Sequence, residues 1–227
     1  MPRQFLSGKV CGRFALTITA SFFERFELPE EAIACTSRLK ISPGQPAPVI
    51  FDFEGRRVVE MQWGLVPSWA KDIKIGSKMF NARSETLDEK PSFRTLLKRK
   101  RCLVPASGFY EWKKEDGKVP YVIRVRNQEY FAMAGLYDVW QGGDGSVLST
   151  FTIVTTAAAK VMADLHDRMP VIIAHDLEAE WVAPGELDPA LVREILRTYS
   201  GSLSVTLASS EMSRPAPSIA ANQRRLI

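Results

Sequence analysis

Apolar residues along this chain fall into short runs that switch between two periods. Thr19 or Ser21 can cap a short helix whose apolar positions include Phe22, Phe23 and Phe26, and Pro29 lies just beyond its end. After the Pro-rich loop Ser42-Pro43-Gly44-Gln45-Pro46, residues 49–53 and 58–65 flank Glu54-Gly55 and read as a β-hairpin. Residues 101–112, 121–125, 130–137 and 148–155 are rich in β-branched and aromatic side chains, which suit a pleated, half-buried surface. Turns are predicted at Asp116-Gly117 and across 142–145. Helical patterning returns late, at 157–165, 177–182 and 189–199.

Strands joined by hairpin turns, with helices grouped at the ends rather than alternating, predict an α+β fold. The expected core is a mostly antiparallel curved sheet or partial β-barrel with peripheral helices. The 227 residues contain neither an internal repeat nor a low-complexity linker, so one domain is expected over 11–227, preceded by an extension at 1–10. The stretch 213–218 reads as irregular chain.

Composition narrows the function classes without choosing among them. The net charge is only +4, but the bases cluster as Lys98-Arg99-Lys100-Arg101 and Arg224-Arg225. Such basicity permits a polyanionic partner without requiring one, and a four-residue basic run is more often a solvated face. No stretch approaches the length that crosses a bilayer, and residues 1–10 lack the apolar run of a secretory signal, so no membrane partner is expected. The expected location is cytoplasmic, and nucleoid-associated when bound to DNA. Three cysteines, Cys11, Cys35 and Cys102, with no CxxC or Cys/His spacing, argue against a disulfide framework and a zinc site. Cys102, in an apolar run, fits a small buried hydrophobe.

Four segments gather reactive side chains: Cys11-Gly12-Arg13-Phe14, Asn81-Ala82-Arg83-Ser84-Glu85, Gly108-Phe109-Tyr110-Glu111-Trp112, and His166-Asp167-Arg168-Met169-Pro170. Together they hold a thiol, a carboxamide, a carboxylate and an imidazole, which can act as nucleophile, orienter, general acid or base, and charge stabiliser. A lone histidine such as His166 is more often a packing or capping residue; its companions raise its standing. The simple alternative for Glu111 is a surface strand residue ahead of Lys113-Lys114.

With Trp63-Gly64-Leu65, these segments make five blocks in which the chain resembles the SOS response-associated peptidase (SRAP) family, all present and in order from Cys11 to about Pro184. The resemblance implies a protein that senses abasic sites in single-stranded DNA. It captures them through an N-terminal cysteine, which presents an α-amine and a thiol. The amine adds to the aldehyde of the ring-opened sugar as a Schiff base, and the thiolate then closes a thiazolidine. By the same resemblance Glu111 handles protons, His166 stabilises or protonates the departing sugar oxygen, Asn81 holds the amine, and Trp69 and Pro43 stack against or wedge between bases. A carboxylate beside Tyr110 and Trp112 should be partly desolvated, which raises its pKa toward neutrality. Arg13, Arg83 and Arg168, each beside a proposed catalytic residue, would grip flanking phosphates, with internal ion pairs such as Arg168–Asp167 or Arg83–Glu85 as the alternative. Trp63 ends a strand pattern and reads as core.

Two features depart from the family pattern. Ten residues precede Cys11 and would bury its nitrogen in a peptide bond, and an amide nitrogen forms no imine. An internal GUG start at codon 10 or cleavage between Val10 and Cys11 would restore the amine; loss of crosslinking is the third reading. Lys40 stands where the family usually carries asparagine, and either adds a phosphate contact or faces solvent.

The expected partner is thus single-stranded DNA bearing an abasic site, bound by a monomeric protein with no cofactor or metal, with AP-lyase and self-processing peptidase activity as associated possibilities. One competing function is a thiol peptidase acting on protein, with Cys11 as nucleophile and His166 as base. Another is a non-catalytic reader of DNA ends or modified bases. A metal-dependent nuclease is disfavoured because no acidic cluster or His-rich ligand set is visible.

Overall fold

The computed structural model describes residues 11–29, 36–113 and 119–208. The predicted turn at Asp116-Gly117, Cys35, Arg224-Arg225, residues 213–218 and the extension 1–10 lie outside the described residues. The elements run β1 (Phe14–Leu16), α1 (Ala20–Arg25), β2 (Arg38–Ile41), β3 (Pro46–Asp52), β4 (Arg56–Trp63), β5 (Asn81–Arg83), α2 (Pro91–Arg99), β6 (Arg101–Ala106), β7 (Gly108–Trp112) and β8 (Pro120–Val125). They continue with β9 (Phe131–Gln141), β10 (Val147–Ala157), β11 (Arg168–Pro170), β12 (Ile172–Ile173), α3 (Glu178–Val182), α4 (Pro189–Ile195) and β13 (Leu203–Leu207).

The α+β expectation holds, and the barrel is more complete than expected. Strand β10 pairs with both β4 and β9, so the path β10-β4-β3-β6-β9 returns to its start and closes a five-stranded barrel. Closure leaves the barrel strands without an open sheet edge. The closing pairing of β10 with β4 is parallel, as is that of β10 with β5, so the sheet is mixed rather than purely antiparallel. Strands β5 and β11 extend it along the far half of β10, and β12 lies on β9. A second sheet, in the order β13-β8-β7-β1-β2, packs against the barrel. Edge-on aromatic contacts join the two, Phe14 to Trp63 at 5.3 Å and Phe109 to Phe131 at 6.4 Å between ring centroids, and residues of both sheets share one apolar cluster.

Local chemistry explains most of these elements. Helix α1 starts after Thr19, as predicted, although Thr19 makes no side-chain cap and instead meets Ser21 and the Tyr130 hydroxyl. In the predicted β3–β4 hairpin, Glu54 and Gly55 both take positive φ, 52° and 106°, the backbone that closes a tight turn with the strands' own twist. The apolar run 101–112 is two strands, not one. Strand β6 belongs to the barrel, and the chain turns at Ser107 so that β7 joins the second sheet, where a Cβ on Gly108 would stand 3.0 Å from the Val122 side chain.

Two helix expectations are corrected. Strand β10 runs on to Ala157, where pairing of Thr156 with Met169 and of Ala157 with Arg168 keeps the chain extended, and the rest of the helix expected at 157–165 contains only the 3-10 turn Lys160–Met162. Helix α2 interrupts the strands mid-chain, so the helices are not confined to the ends. It opens with Pro91 in the first turn, where no N–H is needed, and buries Phe93 and Leu96. Among the described residues no helix is long and apolar enough to cross a membrane.

Candidate active site

Cys11 enters the fold just ahead of β1, which lies between β2 and β7 with Phe14 opposite Phe109 and Ala15 opposite Gly108. The ladder continues as the Tyr110 N–H donates to the Arg13 carbonyl at 2.9 Å. That register carries Cys11 to the level of Glu111, and the backbone nitrogen of Cys11 donates to Glu111 Oε1 at 2.6 Å. Cys11 is fully buried and Glu111 nearly so. Cys11 also takes φ of 40°, a left-handed conformation that side-chain-bearing residues enter at a cost of about 1–3 kcal/mol.

Burial pushes the Glu111 carboxyl up to about 7; the hydrogen bonds from the Cys11 and Trp112 N–H groups oppose the rise and the charge of Asp167 adds to it. The direction matches expectation, but the cause is not the flanking rings. Side chains alternate along β7, and Tyr110 and Trp112 pack on the other face with Ala15 and Val122. On the opposite face Glu111 meets the backbone nitrogen of Cys11. Burial, then the Glu111 charge, raises the Cys11 thiol well above its ordinary value against a weaker pull from the Arg13 backbone. The expected thiolate is therefore disfavoured in the closed site, and the neutral thiol needs a base in contact to react.

His166 follows the Lys160–Met162 turn in irregular chain rather than ending a helix, and its ring is mostly buried. Its Nδ1 lies 3.1 Å from the Arg168 N–H and 2.8 Å from Asp167 Oδ1. One nitrogen cannot accept from the first and donate to the second at once. Which contact forms depends on whether Nδ1 carries a proton, as it does in the imidazolium and in one of the two neutral tautomers.

Arg168 is anchored within the protein. Both of its terminal nitrogens donate to the Glu85 carboxylate, and one also donates to the Thr155 carbonyl at 2.6 Å and hydroxyl at 3.2 Å. Its Nε is buried without a hydrogen-bond partner. The ion pair thus joins Arg168 to Glu85, and neither of the two pairings weighed from sequence forms its anchor. The Arg168 guanidinium holds the Glu85 carboxyl below its usual range. Asn81 opens β5 and Arg83 ends it, paired with Ile153 and Thr155 of β10. Arg83 is exposed and flanks the same Thr155 that Arg168 contacts.

Arg13 stacks over Trp112 at 4.8 Å, its Nε also buried without a hydrogen-bond partner. Trp69 is 61% exposed, on the irregular segment between β4 and β5. Pro43 is half-buried in the β2–β3 loop, which is tied to the end of β4 by Gly44 N–H donating to the Trp63 carbonyl at 2.7 Å and Trp63 N–H to the Gln45 carbonyl at 2.9 Å. Trp63 is core, with its indole N–H on the Phe80 carbonyl at 2.7 Å. Lys40 is half-buried on β2, at the edge of its sheet. Cys102 is buried in the barrel.

The basic run 98–101 is mostly spent on the fold. Lys98 pairs with Glu186, Lys100 with Asp138, and buried Arg101 donates to the carbonyls of Leu97, Trp181, Ala183 and Gly185. Reasoning from sequence missed the Glu85–Arg168–Thr155 link and the influence of Asp167. The only signal was that Glu85 and Asp167 lie inside the quoted blocks. Among the described residues no group of three or more His, Cys, Asp and Glu could hold a metal ion.

Known proteins resemble this chain in sequence and in fold. The chain is 43% identical over 198 residues to the abasic site processing protein YoqW of Bacillus subtilis, covering 84% of this chain and 88% of that one. It is 35% identical over 160 residues to the abasic site processing protein HMCES of Xenopus tropicalis, covering 60% of this chain and 48% of the relative. A solved structure of a Bacteroides thetaiotaomicron protein superposes with a TM-score of 0.80 at 26% identity, covering 88% of this chain and 93% of the other. The sequence pattern of the SOS response associated peptidase (SRAP) family matches residues 10–215, and the chain belongs to that family.

Proposed function

We propose that this protein captures abasic sites in single-stranded DNA as a covalent adduct on Cys11. The observation that carries this reading is the 2.6 Å contact between the Cys11 nitrogen and Glu111, a buried carboxyl poised at about 7. With that nitrogen as a free α-amine, Glu111 takes its proton and leaves it nucleophilic. The amine adds to C1′ of the open sugar and water leaves, giving the imine. The neutral thiol then adds to the same carbon, its proton passing through Glu111 to the nitrogen, and the ring closes as a thiazolidine. His166 in its protonated form supplies a proton to the departing sugar oxygen, and Asn81 orients the amine. The imine also acidifies the neighbouring C2′ protons, so strand cleavage by elimination competes with ring closure.

Arg13 and Arg83 contact the flanking phosphates, Arg168 completes the anion site from its Glu85 anchor, and Trp69 and Pro43 stack on bases, which contributes about 1–3 kcal/mol per base without sequence preference. The relatives named as abasic site processing proteins support the same substrate. The test is capture of an abasic oligonucleotide on a denaturing gel by a form beginning at Cys11: a stable band is expected, lost on Cys11→Ala. Equal banding by the alanine variant overturns the reading.

A second activity of the same site is favoured by the left-handed backbone at Cys11. The thiol attacks the carbonyl of residue 10, its proton passing through Glu111 to the departing Cys11 nitrogen, giving a thioester. Water then hydrolyses the thioester, leaving a carboxylate on residue 10 and a free aminothiol on Cys11. Intact mass over time, with and without Glu111→Gln, tests it: loss of the first ten residues is expected only with Glu111 present.

A further inference from the structure

Trp69 presents a large exposed ring on a segment of irregular chain running from Gly64 to Phe80, broken only by the 3-10 turn Ile73–Lys78. Irregular chain is ordinarily the most mobile part of a fold, and a stacking ring gains affinity only if it is held in place before the base arrives. This segment is tied down at one point after another. Gly64 N–H donates to the Phe151 carbonyl at 2.8 Å, Leu65 N–H to the Met79 carbonyl at 3.1 Å, and Val66 N–H to the Thr150 hydroxyl at 2.9 Å. Gly64 and Gly76 approach so closely that a Cβ on either would stand 2.8 Å from the other's carbonyl oxygen, so neither tolerates a side chain.

The two ties nearest the ring come from one strand. Asp138 Oδ2 accepts from the Ser68 N–H at 2.7 Å, and the Trp140 indole N–H donates to the Ala70 carbonyl at 2.7 Å, so the residues on either side of Trp69 are each held from β9. Asp138 is 3% exposed. Its other oxygen accepts from Lys100 Nζ at 2.6 Å and from the Val139 N–H at 2.9 Å. A buried carboxylate with donors on both oxygens accepts from all of them, whereas a carboxamide has one acceptor and must turn its NH2 toward one of the donors.

We propose that Asp138, braced by Lys100 and assisted by Trp140, is the positioning residue that presents Trp69 to the DNA strand. This rests on the reading of Trp69 as a base-stacking residue. Asp138 holds the Trp69 segment and so acts on binding rather than on bond formation. Asp138→Asn is therefore expected to raise the DNA concentration that half-saturates capture by about tenfold, with the rate at saturating DNA changed less than threefold; a stacked base worth about 1–3 kcal/mol corresponds to a factor of roughly 5 to 150.

The experiment is a double-mutant cycle with Trp69→Ala, using an abasic single-stranded oligonucleotide and reading half-saturation and maximal rate separately. The expected result is that Asp138→Asn weakens half-saturation in the wild-type protein and adds nothing once Trp69 is already alanine, which a merely destabilising change would not do. Trp140→Phe, which keeps the ring but loses its N–H, should behave the same way in smaller measure, and it decides the matter if Asp138→Asn fails to fold. Additive effects in the two backgrounds, or a fall in maximal rate alone, overturn the proposal. If Trp69→Ala itself leaves half-saturation unchanged, the stacking reading fails and the proposal with it.

Discussion

The Cys11 backbone nitrogen and the Glu111 carboxylate, 100 positions apart in sequence, meet at 2.6 Å inside the protein. The nitrogen in contact is the one that the proposed capture needs as an amine, and a carboxyl pKa of about 7 suits removing or returning its proton near neutrality.

Glu111→Gln keeps an oxygen for the Cys11 N–H but cannot move protons. Capture by a form beginning at Cys11 should slow by roughly a hundredfold or more while the fold survives. His166→Ala should also slow capture, through loss of proton delivery to the sugar oxygen. Single-turnover rates with an abasic single strand check both, and wild-type rates in both variants would falsify the assigned roles.

Stability carries a second signature of Glu111. Its carboxyl ordinarily titrates at 4.5 and in the fold at about 7, so the folded protein keeps a proton that the unfolded chain has already released. Stability contributed by the neutral group is present below the ordinary value and is lost as pH rises through that window, by up to about 3 kcal/mol. Urea denaturation of the 227-residue chain at pH 4.5 and pH 8 should show a loss that Glu111→Gln lacks. Parallel losses in the two proteins would mean that the carboxyl is not desolvated as the structure has it.

The three arginines should separate by how each is held. Arg83 is exposed, so Arg83→Ala should weaken capture and flatten its salt dependence with little change in melting temperature. Arg168 is bound to Glu85 and Thr155, so Arg168→Ala should lower both capture and stability, and Glu85→Gln should reproduce part of that loss. Arg13→Ala should resemble Arg83→Ala with some loss of packing against Trp112. Changing the bases around the lesion should matter less than any of these. An unchanged salt slope in all three alanine variants would assign the guanidiniums to internal pairing alone.

The proposed chemistry requires a free α-amine at Cys11, and two forms of the protein test it. One retains residues 1–10, with Val10 changed to block processing and the intact mass verified; the other begins Met-Cys11. The short form should give a denaturant-stable adduct without borohydride and lose it on Cys11→Ala, and Cys11→Ser should give at most a weaker or reducible one. The long form should give none. A stable adduct from the long form would require a lysine amine or a thiol-only route instead.

By itself the sequence determined the α+β class, the β3–β4 hairpin, helix α1, and the buried Trp63 and Cys102. These follow from local periodicity, turn chemistry and residue type, which act over a few positions. Only the tertiary structure decided that 101–112 splits between two sheets, that β10 closes a barrel through a parallel pairing, and that 157–165 holds a strand end and a 3-10 turn instead of a helix, because each depends on partners elsewhere in the chain. The same reason ties Arg168 to Glu85 and Thr155 and gives Lys98, Lys100 and Arg101 partners within the protein. Whether a charge faces solvent or a buried carbonyl is set by what packs over it, and in this chain the covering groups come from residues about eighty positions distant, as with Glu85 on Arg168 and Trp181 on Arg101.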